Sequence, residues 1–394
     1  MPNLGDDHTG SRIREQRRLA RLSQRELADR IPYSYSLLNQ VECGARPATD
    51  EFVAAVARAL NIDADLLTGR SQVTDVQGTR LAELVRPIRE ALDLYDLGPN
   101  PDLTVRPAAV LIAEADRLCA EVRATRLRNS ARMLPSLIAE LTHTAWDTPS
   151  TAVWQALASA YRTAHDITLK LGHSDLSSTA LDRMAWAAGR ASDPCLAAIR
   201  QYKRALVYYR EGEQTIGQRL IASGHHMIEQ ADAGRDALVV TGQLHLGGAV
   251  ICGRAGDKAA VARHIAEARG IAKRTGDASQ VHWLSFGPTN VALHHLSATM
   301  KLRDYDKALT QARAVQLPPR FATSRRAGFL IDRARVEMET GHTQAALDHL
   351  LEARRVAPEQ TRYHGSARET IRGLVHMSRR TPDALNRMAA WIGL

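Results

Sequence analysis

The apolar positions of the first seventy residues mark a string of short helices with sharp punctuation. A first helix is expected from about Ser11 to Ala20, with Ile13 as its clearest core position. Ser23 followed three residues later by Glu26 is a capping box, in which each residue satisfies a first-turn amide near the other. Leu27, Ala28 and Ile31 then recur at helical spacing and form the inner face of a second helix. Pro32-Tyr33-Ser34 stops it, and Ser34 is a good N-cap for a third helix with Leu37, Leu38 and Val41 inside. Gly44 suits the left-handed geometry that closes that helix. Thr49 or Asp50 caps a fourth helix carrying Phe52, Val53, Val56, Ala57 and Leu60. Asp63 caps a short fifth helix with Leu66 and Leu67, closed by Gly69.

Helical periodicity continues to the end of the chain, and no strand-like alternation interrupts it. Residues 71–77 read as a short linker, and Asp96-Leu97-Gly98-Pro99-Asn100-Pro101-Asp102 as the strongest loop. A loose repeat then emerges. Its clearest unit runs from Leu330 to Pro358, with Gly341 between two helical stretches and Ala345, Ala346, Leu350 and Ala353 following. Trp154, Leu157, Ala158 and Tyr161 give the pattern of a first helix in such a unit. The markers Gly172, Gly212, Gly256, Arg303 and Gly341 stand 40, 44, 47 and 38 residues apart. These offsets resemble a degenerate tetratricopeptide array, and a generic α-solenoid fits nearly as well. The predicted fold is all-α: a head of short helices over 1–70, the linker, and a TPR-like helical-repeat domain over 78–394.

Two short helices joined by a tight turn inside a five-helix unit make a helix-turn-helix candidate. Three stretches carry a family resemblance: Ile13-Arg14-Glu15-x-Arg17; Leu22-Ser23-Gln24-x-Glu26-Leu27-Ala28; and Ser34-x-Ser36-x-Leu38-x-x-Val41-Glu42-x-Gly44-x-Arg46-Pro47. Together, over roughly residues 10–69, they resemble the phage-repressor (Cro/CI, XRE-like) DNA-binding family with its five-helix lambda-repressor-like fold. The resemblance implies that Ser23 and Gln24 hold the phosphate backbone. It implies that Ser34, Tyr35, Ser36, Asn39 and Gln40 face base edges, and that Arg46 touches phosphate. It also implies an Arg17–Glu42 ion pair between the first and third helices. General physics agrees: a helix N-terminus attracts anions, and Gln or Asn can bond adenine at two positions. Two departures stand out, Arg21 where the family often has glycine and Pro32 where it usually has glycine-valine, so a locally altered turn is expected.

Charge refines this picture. The formal net charge is +9, with 46 Arg and 6 Lys making up the 52 cations. Residues 1–70 are neutral as a whole, but Gly10 to Ala48 holds eight Arg against four acids. The basic stretch thus coincides with the helix-turn-helix pattern, which favours double-stranded DNA as partner. Apolar runs such as Ala237–Val240 and Gly247–Cys252 are too short to span a bilayer, and Pro2, Asn3, Asp6 and Asp7 show no apolar signal core. A cytoplasmic protein without membrane partners is expected. Cys43, Cys119, Cys195 and Cys252 are widely spaced and read as reduced, packing thiols, with no metal site.

One segment of the repeats stands apart. In Trp283-Leu284-Ser285-Phe286-Gly287-Pro288-Thr289-Asn290-Val291-Ala292-Leu293-His294-His295, a Gly-Pro break is followed at once by helical periodicity. Asn290 and His294 share one helix face, so Trp283, Phe286, Asn290 and His294 form a candidate ligand site. The bland alternative is a capped helix start with a satisfied core histidine. Similar stretches occur in long actinobacterial regulators of this two-part layout, which this chain resembles. The doublets His225-His226 and His294-His295 do not suit one metal ion, since adjacent helical residues diverge. Tyr202, Tyr208 and Tyr209 read as packing residues. Arg320, Arg325 and Arg326 read as a solvated basic face, with an anionic ligand as the other reading. No nucleophile elbow, phosphate-binding loop, zinc-protease or dinucleotide motif is present, so neither an enzyme nor a cofactor is expected.

The predicted function is that of a homodimeric transcriptional regulator. Its repeats bind a peptide or small-molecule effector that alters operator affinity. The layout resembles that of peptide-sensing regulators of Gram-positive quorum systems. The alternative is a DNA-tethered scaffold whose repeats hold a protein partner without ligand control.

Overall fold

Each of the first helices starts or stops at a residue whose chemistry suits that place. In the computed structural model, residues 9–20, 22–60, 62, 64–68, 75–377 and 382–393 are described. Expectations resting on Pro2, Asn3, Asp6, Asp7, Arg21, Asp63, Gly69 and 71–74, and on the side chain of Leu66, lie outside them. Helix α1 spans Thr9–Leu19, α2 Gln24–Ala28, α3 Tyr35–Glu42, α4 Asp50–Leu60 and α5 Ala64–Thr68. Ser23 and Glu26 form the reciprocal capping box, and Ser34 Oγ accepts from the Leu37 amide at 3.3 Å. Thr49, not Asp50, caps α4, its Oγ1 accepting from the Phe52 amide at 3.2 Å. Gly44 closes α3 at φ +78°, a conformation cheap only for a residue without Cβ. Ile13, Leu27, Leu38, Val41, Phe52, Val56 and Leu67 close on one core. Full burial of such a side chain is worth roughly 1.5–3 kcal/mol.

The chain forms two compact units. One gathers Met1–Arg80, Arg210–Gly212 and Gly365–Leu394, and the other Leu81–Tyr209 and Glu213–His364. Helices α20 (Gly365–Met377) and α21 (Asp383–Ile392), which the sequence pattern groups with the repeats, therefore cluster with the head. Glu369 Oε1 accepts from the Asp50 amide at the start of α4, 2.8 Å away. Arg372 donates to Thr9 Oγ1 at 3.3 Å, and His376 Nε2 lies 2.9 Å from the Ala45 carbonyl, just beyond α3. Helix α6 (Asp75–Asp93) carries the chain across the boundary near residue 80, with Pro87 inside it.

The second unit is a run of helix pairs. They are α7 (Ala108–Arg123) with α8 (Leu127–Asp147), α9 (Thr151–Lys170) with α10 (Ser174–Arg190), and α11 (Pro194–Glu211) with α12 (Gln214–Ile228). They continue with α13 (Arg235–Arg254) and α14 (Lys258–Thr275), α15 (Pro288–Lys301) and α16 (Tyr305–Ala314), and α17 (Thr323–Glu339) and α18 (Thr343–Val356). A short α19 (Pro358–Tyr363) follows. The long loop falls where Gly98, Pro99 and Pro101 require it, between α6 and α7. Among the described residues there is no strand, only an isolated bridge between Ala278 and Phe286.

The first helix of every pair ends in a left-handed residue: Thr125, Gly172, Gly212, Gly256, Arg303 and Gly341. A left-handed residue at that place satisfies the last carbonyls and reverses the chain within a few residues. Neighbouring first helices pack on one another, α7 on α9, α13 on α15 and α15 on α17, and α17 also meets α7. The array thus curls until its first and last pairs touch, and these first helices form its inner layer.

Helix α13 is largely enclosed. Its length and apolarity would suffice to cross a membrane, because Thr241–Leu246 joins the two short apolar runs, and most of that window is buried by neighbouring helices. Its glycines explain how closely they approach. An added Cβ at Gly242 would strike the Phe286 ring, and one at Gly247 would strike Tyr202. At Gly253 it would meet the Ala298 carbonyl oxygen at 2.8 Å. Backbone cannot step aside as a side-chain tip can, so Gly253→Ala is expected to cost about 1–3 kcal/mol by overpacking. A lowered urea midpoint for the second unit checks this.

His225, His245 and His264 stack across α12, α13 and α14, with ring centroids 4.5 and 5.3 Å apart. Burial lowers the pKa of all three, and burial, reinforced by the two neighbouring imidazoles, takes His245 down to about 4. The folded chain keeps these rings neutral, whereas the unfolded chain protonates them near their ordinary value of about 6.5. Their contribution is complete above pH 6.5 and is lost as pH falls toward 4. Thermal midpoints should decline across that window, and less steeply in His245→Gln.

Candidate functional site

The head is organised around a carboxylate that three helices share. Glu42, at the end of α3, is fully enclosed. It accepts Arg17 Nε at 2.7 Å and Arg17 Nη2 at 2.8 Å, a bidentate pair reaching from α1. Arg17 Nη1 also donates to the Leu22 carbonyl at 2.8 Å. The Glu42 hydrogen bond raises the Arg17 pKa against the opposing effect of burial. From α2, Gln24 Nε2 donates to the same carboxylate at 2.8 Å. Arg17 and Glu42 therefore belong to the scaffold.

Gln24 does a second job. Its Nε2 lies 3.3 Å from Asn39 Oδ1, and its Oε1 accepts the Tyr35 hydroxyl at 3.2 Å. The first residue of α2 thus aligns two side chains of α3. Asn39 spends its acceptor on this contact and retains amide donors. Ser23 and Ser34 use their oxygens as cap acceptors, which leaves each hydroxyl proton to donate outward. Ser23, Ser34, Tyr35, Ser36, Asn39, Gln40 and Arg46 are exposed, and Gln24 is half-buried. The inner positions Leu38 and Val41 are buried. One face of α3 and its N-terminus thus point away from the core, with α2 beside them. Pro32 sits in the turn between the helices without disturbing this arrangement, since both caps beside it are intact.

The ligand candidates of the repeats separate into two settings. Phe286 is fully buried and fills the space over Gly242, and the Trp283 indole donates to Asp116 on α7. These two close the packing around a strained turn in which His282, Trp283 and Ser285 all have positive φ. Asn290 and His294 lie one turn apart on the inner helix α15, both buried. His294 Nδ1 is 2.9 Å from the Asn290 carbonyl, and burial drives its pKa to about 3. Both polar atoms of the Asn290 side chain lack a partner.

The sequence pattern did not single out the polar residues beside them. Arg162, Asp166 and Lys170 stand at i, i+4 and i+8 on α9, a stripe visible in the sequence once α9 is known to be an inner helix. Asp166 accepts Arg123 Nη2 at 2.8 Å and Lys203 Nζ at 2.6 Å. Burial opposes the Asp166 charge, but Lys203 and Arg123 outweigh it and hold the carboxyl well below its usual range. Tyr202, read as a packing residue, also takes a hydrogen bond from Gln243 at 2.7 Å. Arg325 is half-buried against Tyr202, while Arg326 bonds the Pro318 carbonyl, so this arginine run is not one solvated face. All four cysteines are unpaired thiols, and among the described residues no cluster suits a metal ion.

A helix-turn-helix domain family matches residues 9–68. Two uncharacterized HTH-type transcriptional regulators of Mycobacterium tuberculosis, from strains CDC 1551 / Oshkosh and ATCC 25618 / H37Rv, are each 37% identical to this chain over 95 residues. The match covers 22% of this chain and 68% of each relative.

Removing one member of a buried pair strands the other charge. Glu42→Gln is expected to destabilise the head by about 3–5 kcal/mol. Hydrogen exchange of the α1 and α3 amides in the full chain would register it as faster opening confined to the head.

Proposed function

Since the chain belongs to the HTH-type transcriptional regulators, with a DNA-binding helix-turn-helix at its N-terminus, we propose that it reads a specific operator through α3 and that its helical array adjusts this binding in response to an effector. The observation that carries the reading is the outward face of α3, whose Tyr35 and Asn39 are aligned by Gln24. Ser34, Ser36 and Gln40 complete the surface that enters the major groove. Gln40 and Asn39 offer the amide chemistry that pairs with adenine. Ser23, with the N-terminus of α2, and Arg46 hold phosphates on either side.

One head of this size makes few base contacts, so a homodimer on a palindromic site is proposed, with half-sites about one helical turn apart. The effector, a peptide or small molecule, binds the inner face of the array near Asn290 and His294. The protein works in the cytoplasm and its role is regulatory, not catalytic. Selection of bound fragments from genomic DNA, with and without cell extract, tests the reading. A palindromic consensus whose retention changes with extract supports it, and indifference to all fragments at low salt removes it.

Gln40→Ala should weaken operator binding more than binding to random DNA, as a lost base contact does. Arg46→Ala should weaken both alike and reduce the slope of log affinity against log salt by about one. Binding isotherms on the two DNAs at several salt concentrations separate these cases. Equal losses from Gln40→Ala would exclude it from base reading.

A further inference from the structure

Each first helix of the array contributes a polar side chain to one shared interior. Arg123 comes from α7, Arg162 and Asp166 from α9, Tyr202 and Lys203 from α11, Gln243 from α13, Asn290 and His294 from α15, and Arg325 from α17. Their proximity is mutual. Asp166 bonds both Arg123 and Lys203. Gln243 and Arg325 meet at the Tyr202 hydroxyl, and His294 lies in the field of Arg325.

This interior is short of negative charge. Arg162 is almost wholly buried, yet its guanidinium meets only the His282 carbonyl at 2.8 Å and Cys119 Sγ at 3.3 Å. Among the described residues Asp166 is the carboxylate in direct contact with these cations. Asp332, two turns along α17 from Arg325, lies in the field of Lys301 and Arg335 as well. Burial holds Lys203 to a pKa of about 8 and Lys170, at the half-buried edge beside Arg325, to about 7. Buried donors and acceptors are also left over: Arg123 Nε, Arg162 Nε, Gln243 Oε1 and both amide atoms of Asn290. An uncompensated buried cation is strongly destabilising, and an unpaired buried polar atom is destabilising to a lesser degree. A packed core gains nothing from either, whereas a site for an anion needs both.

We propose that this cluster seats the effector, a small molecule bearing a doubly charged oxyanion, phosphoryl or dicarboxylate, with Arg162, Lys203 and Arg325 as its cationic contacts and Asn290 and Gln243 reading the group beside it. The inference deepens the effector reading above and rests on it. Four cations, Arg123, Arg162, Lys203 and Arg325, stand against the carboxylate of Asp166, with Asp332 shared among Arg325, Lys301 and Arg335. A single carboxylate would leave most of that excess in place, and a dianion neutralises the larger part.

The test uses the full chain in calorimetry and thermal unfolding with inorganic phosphate, pyrophosphate and malonate, against sodium chloride at equal ionic strength. Saturable binding of phosphate and pyrophosphate, or of malonate, is expected, and the stronger set identifies the oxyanion. Arg325→Met and Lys203→Met should each weaken it at least about tenfold, the equivalent of one charged hydrogen bond. Asn290→Leu should stabilise the unliganded chain and weaken binding. No anion effect beyond chloride, or unchanged binding in all three folded variants, overturns the site. Operator affinity measured in the same samples keeps the two readings apart. Saturable binding that leaves operator affinity unmoved supports the site and overturns its role as effector seat. An operator response to extract that persists in the variants overturns the site and leaves the regulator reading standing.

Discussion

The buried Glu42 carboxylate is the constraint on which the reading head depends. A buried charge must be paired and hydrogen-bonded, and Glu42 meets that demand by drawing Arg17 from α1 and Gln24 from α2 onto the end of α3. The three helices cannot rotate independently without stranding one of these groups. Gln24 passes the restraint outward, since the amide that satisfies Glu42 also positions Asn39 and Tyr35. A group that is costly inside the head therefore sets the outline of its exposed surface.

The array answers a different demand. Each first helix must reverse direction at once, and a left-handed residue does this in every pair, although Thr125 and Arg303 pay the steric cost that glycine avoids. The resulting curl brings α17 back to α7 and encloses the inner faces. The faces so enclosed include the buried side chains of Arg162 and Lys203.

Much of this was legible in the sequence. The caps Ser23, Ser34 and Thr49 act locally, so their chemistry shows in a few neighbouring residues, and the all-α class follows from periodicity alone. The five repeat markers all prove to be left-handed closures, which explains why irregular spacing still pointed to real turns. Thr125 escaped notice because a threonine carries no signature of positive φ. The separation of Phe286 from Asn290 could not be read either, since it depends on Gly242, more than forty residues away, leaving room for the ring. Arg162, Asp166 and Lys170 formed a visible stripe, but nothing local says whether such a stripe faces water or a neighbour. The attachment of α20 to the head rests on pairings such as Glu369 with the Asp50 amide, which no local pattern encodes.

That last attachment has a consequence for assembly. The helical pairs are a long insertion within the first unit, entered through α6 and left through α20. A body built from both sides of an insertion is complete only once the chain has traversed the whole of it. Because α20 touches the start of α4 and the Ala45 carbonyl beyond α3, the outer edge of the head is finished by residues more than three hundred positions further along the chain.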